Sequence, residues 1–267
     1  FGAIGCVYAK NLNKNLGEKF AVIAGGSRGE RIKAKGAVVN GEKVMPNVVD
    51  PYNTDFKADL VIFTVKNNQL QQALADVKNI VTENTVFLTV LNGVTARDEI
   101  KDFYPDNTVL YGIGMGIDAV RNGEEIKCKC EGTIQFGEAE NKVPSPAVKA
   151  VKEVFDFCNV GNEVFEDMIR TIWNKFMINV STNQLSAITG AGYGDFLKIP
   201  QLNKAMHGVM TEVITLANRK GINISEDDAF AYEEKLAGFA PKGQTSMLQD
   251  VLAERKTEVD YFSGVVI

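Results

Sequence analysis

One histidine, one tryptophan and four cysteines in 267 residues leave little material for several kinds of site. Cys6, Cys128, Cys130 and Cys158 are too few, in a chain this long, to read as a disulfide framework. Cys128 and Cys130 alternate with Lys127 and Lys129, which places both thiols on one face of a strand. A metal site there lacks two further ligands, so packed, reduced thiols are the expectation and no metal is assigned. The one histidine, His207, sits in the helix-like stretch Met206-His207-Gly208-Val209 and reads as a surface or packing residue. If the chemistry is carbonyl reduction, a lysine is then the natural proton donor. Cationic residues are also short: 29 Lys and Arg against 34 Asp and Glu give a net charge of −5. With no basic stripe, nucleic acid and anionic membrane are poor partners. No apolar run approaches the ~20 residues needed to span a bilayer. No signal-peptide pattern is visible, and a cytoplasmic location is expected.

What is present is ordinary globular material, 45% apolar and 24% charged. The runs Phe20-Ala21-Val22-Ile23-Ala24, Leu60-Val61-Ile62-Phe63-Thr64-Val65 and Val86-Phe87-Leu88-Thr89-Val90-Leu91 are each followed by a polar, helix-capable stretch. Near-continuous apolar runs separated by helices mark parallel strands buried on both faces. Residues 111–137 carry several glycines and an Arg121-Asn122-Gly123 turn signal, which predicts antiparallel pairing. Residues 145–158 read as one more helix, with Pro146 in its first turn. Beyond about Glu166 the pattern is helical, over 173–188, 204–220, 226–236 and 246–266. The fold class is therefore α/β, with a Rossmann-type dinucleotide-binding domain over 1–166 and an all-helical substrate domain over 167–267.

Gly2-Ala3-Ile4-Gly5 has the spacing of the second and third glycines of Gly-x-Gly-x-x-Gly, opening directly into a helix. The first glycine and its strand would precede Phe1, so residues are expected to be missing from the N-terminus. The motif is weak alone and gains weight from the alternating strands and helices that follow. The second strand ends in Ala24-Gly25-Gly26-Ser27-Arg28, with no acid until Glu30. An NAD site usually has Asp or Glu at that place, whereas Ser27 and Arg28 suit a 2′-phosphate, so NADP(H) is favoured over NAD. Lys66 and Asn92 lie just past the C-terminal ends of two parallel strands, where ligands of such sheets bind; either could instead cap a helix or form a turn.

In the segment 173–185, Lys175, Asn179 and Asn183 recur every four residues among apolar neighbours. One reading is an inward row that needs a ligand rich in oxygen atoms. The other is the solvent face of an amphipathic helix. Glu258 falls in the last helical stretch, and spacing does not select it over Glu254 or Asp260.

Taken together, Gly2-Ala3-Ile4-Gly5, Thr64-Val65-Lys66, Asn92-Gly93, Trp173-x-Lys175-x-x-x-Asn179-x-x-x-Asn183 and Ser246-Met247-Leu248-Gln249-Asp250 with Arg255-x-Thr257-Glu258-x-Asp260-Tyr261 resemble the ketopantoate reductase (2-dehydropantoate 2-reductase) family, in order and over essentially the whole chain. The resemblance implies NADPH-dependent reduction of 2-dehydropantoate to pantoate, in pantothenate and coenzyme A biosynthesis. It implies that Lys175 polarises the ketone and donates the proton, and that Glu258 is its acidic partner. Asn179, Asn183 and Ser246 would hold the substrate's hydroxyl and carboxylate. Gly2, Ala3, Ile4, Gly5, Ser27, Arg28, Lys66 and Asn92 would contact the cofactor, Asn92 near the nicotinamide. A homodimer is compatible with the family, and both chain ends look short relative to it. Two alternatives stay open: reduction of another small 2-oxo acid, and a redox-inactive NADPH-binding regulator.

Overall fold

The computed structural model describes residues 1–267. In chain order the first part comprises α1 (Ala3–Leu16), β1 (Ala21–Ile23), α2 (Gly26–Lys35), β2 (Ala37–Val39), β3 (Glu42–Val44), β4 (Asn47–Val49), β5 (Leu60–Phe63), α3 (Leu70–Asp76), β6 (Val86–Thr89) and α4 (Ala96–Phe103). It continues with β7 (Thr108–Met115), β8 (Asp118–Asn122), β9 (Glu125–Cys130), β10 (Thr133–Gly137), α5 (Pro146–Phe157) and β11 (Asn162–Val164). The rest is helical: α6 (Met168–Ile178), α7 (Gln184–Thr189), α8 (Tyr193–Lys198), α9 (Pro200–Arg219), α10 (Glu226–Leu236), α11 (Ser246–Leu252) and α12 (Ser263–Val266). By contact the chain forms two compact units. One is Phe1–Leu91 with Thr95–Met168; the other is Asn92–Val94 with Ile169–Ile267.

In the first unit, β5, β6 and β7 pair in parallel, β10 runs antiparallel to β7, and β11 closes the edge parallel to β10. Neighbouring residues of these strands serve opposite faces. Phe87 and Val109 pack with Leu70, Leu74 and Ile100 of α3 and α4, while Leu88 and Leu110 pack with Tyr8, Leu12 and Phe155 of α1 and α5. Burial on both faces explains why these strands read as unbroken apolar runs. β1 pairs in parallel with β4, and a further sheet has the order β3-β2-β9-β8. Its β8–β9 hairpin turns at Gly123 (φ 61°), as the Arg121-Asn122-Gly123 signal predicts.

Two expectations in this unit need revision. Cys128 is buried but Cys130 is exposed, because it is the last residue of β9 and a register shift between Asp118 and Ala119 disturbs its partner strand. The strands β2, β3 and β4 were not anticipated, being three residues each and too short for periodicity to register. A local signal for the β2–β3 turn was nevertheless there. Asn40-Gly41 joins the two strands with both residues at positive φ, the Asn-Gly pattern of tight hairpins.

The helical unit is built around Trp173, Phe176, Met177 and Val180, which pack against Phe196, Met206, Met210, Val213 and Ala217. The expected helix over 173–188 is interrupted. α6 passes into a π turn, Asn179–Asn183, before α7 resumes the regular winding. Such a wide turn loosens the carbonyl ladder, and polar side chains occupy it: Ser181 Oγ donates to Met177 O at 2.8 Å and Gln184 Nε2 to Val180 O at 2.7 Å. The expected single helix over 246–266 is also broken. α11 ends at Leu252, Glu254 takes a positive φ of 53°, and Arg255 folds back on the helix end. Its N–H reaches Asp250 O at 2.8 Å, and its guanidinium reaches Asp250 Oδ1, also at 2.8 Å. Glu258 consequently lies in an irregular segment ahead of a 3₁₀ turn, not on a helix. His207 has the packing role expected of it, bonded through Nε2 to Glu233 at 2.8 Å and lying against Phe230.

Candidate active site

In the first unit the glycine motif opens α1. Gly2 is its N-cap, in an extended conformation and with no side chain capping the first turn. The N–H groups of Ala3, Ile4 and Gly5 therefore begin a fourteen-residue helix at its electropositive end. A Cβ on Gly2 would meet nothing within 4 Å, so the space in front of the helix is open to a phosphate. A Cβ on Gly5 would lie 2.6 Å from Thr64 Oγ1, so here glycine permits the helix to press on the residue after β5. These two positions fit a dinucleotide in the manner the motif requires.

A cavity of about 270 Å³ opens beyond the ends of β1 and β4, with Gly25, Gly26, Arg28, Asp50, Tyr52 and Asp76 among its walls. Arg28 is exposed, and no carboxylate of the protein lies within ion-pair distance of it. Ser27 is exposed on the first turn of α2 but does not line this cavity. The end of β1 carries no acid. The structure brings one from the next strand, Asp50, because Val49 and Ile23 are register partners. The signal available was an acid directly after an apolar strand, but β4 was too short to be recognised. Lys66 lies three residues beyond β5, half-buried, and caps a 3₁₀ turn through its backbone.

In the helical unit, the six expected residues fall into two groups of three, Asn92 with Glu258 and Lys175, and Asn179 with Asn183 and Ser246. Asn92 belongs to this unit by contact, and its amide donates to Glu258 Oε2 at 3.1 Å. Burial pushes the Lys175 ammonium down from its ordinary 10.5 to about 8, while the negative charge of Glu258 opposes the fall. Asn179 and Asn183 are only 6% and 8% exposed, which rules out the solvent-face reading of the stripe. Asn183 Nδ2 donates to Asn179 Oδ1 at 3.2 Å and reaches Ser246 Oγ at 3.4 Å. Asn179 Nδ2 is buried without a protein acceptor. An unmade hydrogen bond at a buried donor costs about 1–3 kcal/mol, which an oxygen-bearing ligand would recover.

The π turn gives the stripe its line. Four residues of α-helix overshoot a full turn by about 40°, so a row at that spacing drifts around the helix. A π turn holds more residues, so the same step undershoots and turns the row back. Lys175 precedes the wide turn, while Asn179 and Asn183 are its first and last residues. No propensity pattern in the sequence announces this.

The model of the ketopantoate reductase PanE/ApbA family matches residues 1–141, and that of its C-terminal part matches residues 167–267. The chain belongs to that family. It is thus an oxidoreductase of the ketopantoate reductase type. Among its relatives, the 2-dehydropantoate 2-reductase of Streptococcus pyogenes serotype M3 is 24% identical over 99% of this chain and 87% of its own length. That of Pyrococcus horikoshii is 26% identical over 100% and 87%. The fold is shared with the 2-dehydropantoate 2-reductase of Methylococcus capsulatus (TM-score 0.86, 23% identity, 100% of this chain and 86% of that one). It is equally shared with a D-mandelate dehydrogenase solved with NADH and anilino(oxo)acetate (TM-score 0.86, 23% identity, 99% and 88%). Ketopantoate reductases and a 2-hydroxy-acid dehydrogenase therefore share one architecture.

Proposed function

We propose that this protein reduces the ketone of a 2-oxo acid, 2-dehydropantoate, to pantoate with NADPH, as a cytoplasmic step of pantothenate and coenzyme A biosynthesis. The observation that carries the reading is Lys175, whose pKa burial of the ammonium lowers to about 8, coupled to Glu258 and on the same helical segment as two buried amides. When bound, the nicotinamide supplies the hydride. Gly2, Ala3, Ile4 and Gly5 would take the pyrophosphate, Arg28 and Ser27 the 2′-phosphate, and Lys66 and Asn92 the rest of the nucleotide.

Lys175 Nζ donates to the ketone oxygen and stabilises the charge that develops there. An aimed cationic donor in a water-poor site lowers such a barrier by several kcal/mol. The same group then passes its proton to that oxygen, which a pKa close to the working pH favours. Glu258 keeps Lys175 protonated before the reaction, against the pull of its burial. Asn179 Nδ2 donates to a substrate oxygen, and Asn183 with Ser246 Oγ completes the polar wall.

Steady-state NADPH oxidation tests this with 2-dehydropantoate beside pyruvate, 2-oxoisovalerate and an aryl-substituted oxo acid. Turnover confined to 2-dehydropantoate supports the reading. Preference for the aryl acid moves the function towards the second reading, another 2-oxo acid, which the fold shared with the D-mandelate dehydrogenase favours. NADPH binding without turnover on any of them points to a regulator. Sedimentation would decide whether the working form is a homodimer.

A further inference from the structure

The cavity at the ends of β1 and β4 holds two opposite charges that do not neutralise one another. Asp50 and Arg28 both line it, yet no oxygen of Asp50 comes within 4.0 Å of the guanidinium. Asp50 is fixed by its own loop. Its Oδ1 accepts from Tyr52 N at 2.9 Å, an Asx turn that leaves Oδ2 uncommitted. Oδ2 lies over Gly25: a Cβ there would stand 3.3 Å from it and 3.0 Å from Pro51 Cδ. Asp76, the other carboxylate of the cavity, is engaged on its own helix by Gln72 Nε2 at 2.7 Å. Asp50 and Arg28 are the oppositely charged groups that follow β4 and β1 at the mouth of this cavity.

A ligand that satisfies both carries an anionic group and, beside it, a hydroxyl that can donate to a carboxylate. A phosphorylated ribose has both. Resting on the nucleotide reading above, we propose that Asp50 is a specificity-determining residue of this site, accepting a hydrogen bond from a hydroxyl of the adenosine ribose while Arg28 takes the 2′-phosphate. The consequence is a cofactor site open to both nucleotides. NADPH gains the Arg28 contact but brings its 2′-phosphate near the Asp50 charge. NADH loses the first, escapes the second, and offers both ribose hydroxyls to Asp50. The absence of an acid at the end of β1 therefore does not make the site exclusive for NADPH, because β4 supplies the acid instead.

The test is equilibrium titration of the full chain with NADPH and with NADH, followed by the fluorescence of the reduced nicotinamide, for the wild type, Asp50→Asn and Arg28→Ala. Asparagine keeps the oxygen that accepts from Tyr52 N, so the turn survives, and an unchanged melting temperature verifies this. Wild type should bind both nucleotides, with dissociation constants within about 100-fold of one another. Asp50→Asn should weaken NADH about 10-fold and tighten NADPH a few-fold, since a hydrogen bond to a charged acceptor is lost and a repulsion removed. Arg28→Ala should do the reverse, weakening NADPH and leaving NADH within a few-fold. A ratio that stays within twofold of wild type in Asp50→Asn, with both nucleotides still bound, overturns the assignment and leaves the proposed function standing. Failure of wild type to bind either nucleotide overturns both.

Discussion

Replacing Lys175 by methionine should move activity and stability in opposite directions, and the size of each follows from the site. The fall of the Lys175 pKa from 10.5 to about 8 means that the fold disfavours the protonated side chain by no more than about 3 kcal/mol. Methionine has a similar length and no charge, so it escapes this cost, which is net of the attraction to Glu258. The expected gain is about 1–3 kcal/mol, or roughly 3–9 °C in melting temperature. Turnover should fall by about 10²–10⁴-fold, since both the oxyanion donor and the proton source are gone. The pH dependence supplies a further control. Unfolded Lys175 titrates near 10.5 and folded Lys175 near 8, so between these values the unfolded state holds more protons and wild-type stability rises with pH. The penalty is full below about pH 8 and is relieved on the way to 10.5, so the advantage of methionine should shrink across that window. Thermal melts at pH 7 and pH 10 measure it. A methionine variant that melts below wild type, or whose advantage is the same at both pH values, refutes the claim that burial depresses this lysine.

Three further outcomes follow from the same geometry. Glu258→Gln removes the charge that raises Lys175, so the basic limb of the kcat profile, near pH 8 in wild type, should move to lower pH; a limb that stays or rises contradicts the coupling. Asn179→Ala deletes a buried donor that lacks a protein acceptor together with the acceptor of Asn183 Nδ2, so KM for the oxo acid should rise about 10-fold or more beside a stability loss of about 1–3 kcal/mol, and a stability loss without a KM effect would count against substrate contact. Gly5→Ala should destabilise by about 1–3 kcal/mol through its contact with Thr64 Oγ1, and Thr64→Ala in the same chain should recover much of the loss; additive losses in denaturant melts would show that the clash is not the cause.

The parts of the fold legible in advance were those where one physical requirement dominates. Strands β5 and β6 are buried on both faces and can only be apolar throughout, and Pro146 and Ser145 mark the start of α5 because a helix needs just such residues there. Where tertiary partners decide, the sequence was silent or misleading. The charged stretch after Leu252 has helical spacing, yet the bond from Arg255 to Asp250 closes α11 and sends Glu258 into irregular backbone. The stripe of Lys175, Asn179 and Asn183 was visible as spacing, but its direction depends on Met206, Met210 and Phe196 from segments far along the chain. Asp50 is not legible as a partner of Gly25, its neighbour in space, because α2 and the short strands β2, β3 and β4 separate the two in sequence.

The π turn also makes chain length within this helix a functional quantity. It accommodates one residue more than a regular turn would. Deleting one residue within it would let the ladder close as an uninterrupted α-helix while the flanking turns kept nearly the same relative rotation, because a segment containing the wide turn covers about the rotation of a regular one that is a residue shorter. Deleting one from the regular winding ahead of it, between Lys175 and Asn179, has no such slack: everything downstream would swing by about 100° relative to Lys175 and move about 1.5 Å nearer. The same loss of one residue would thus spare the polar row in one place and dismantle it in the other, with every side chain of the row still present.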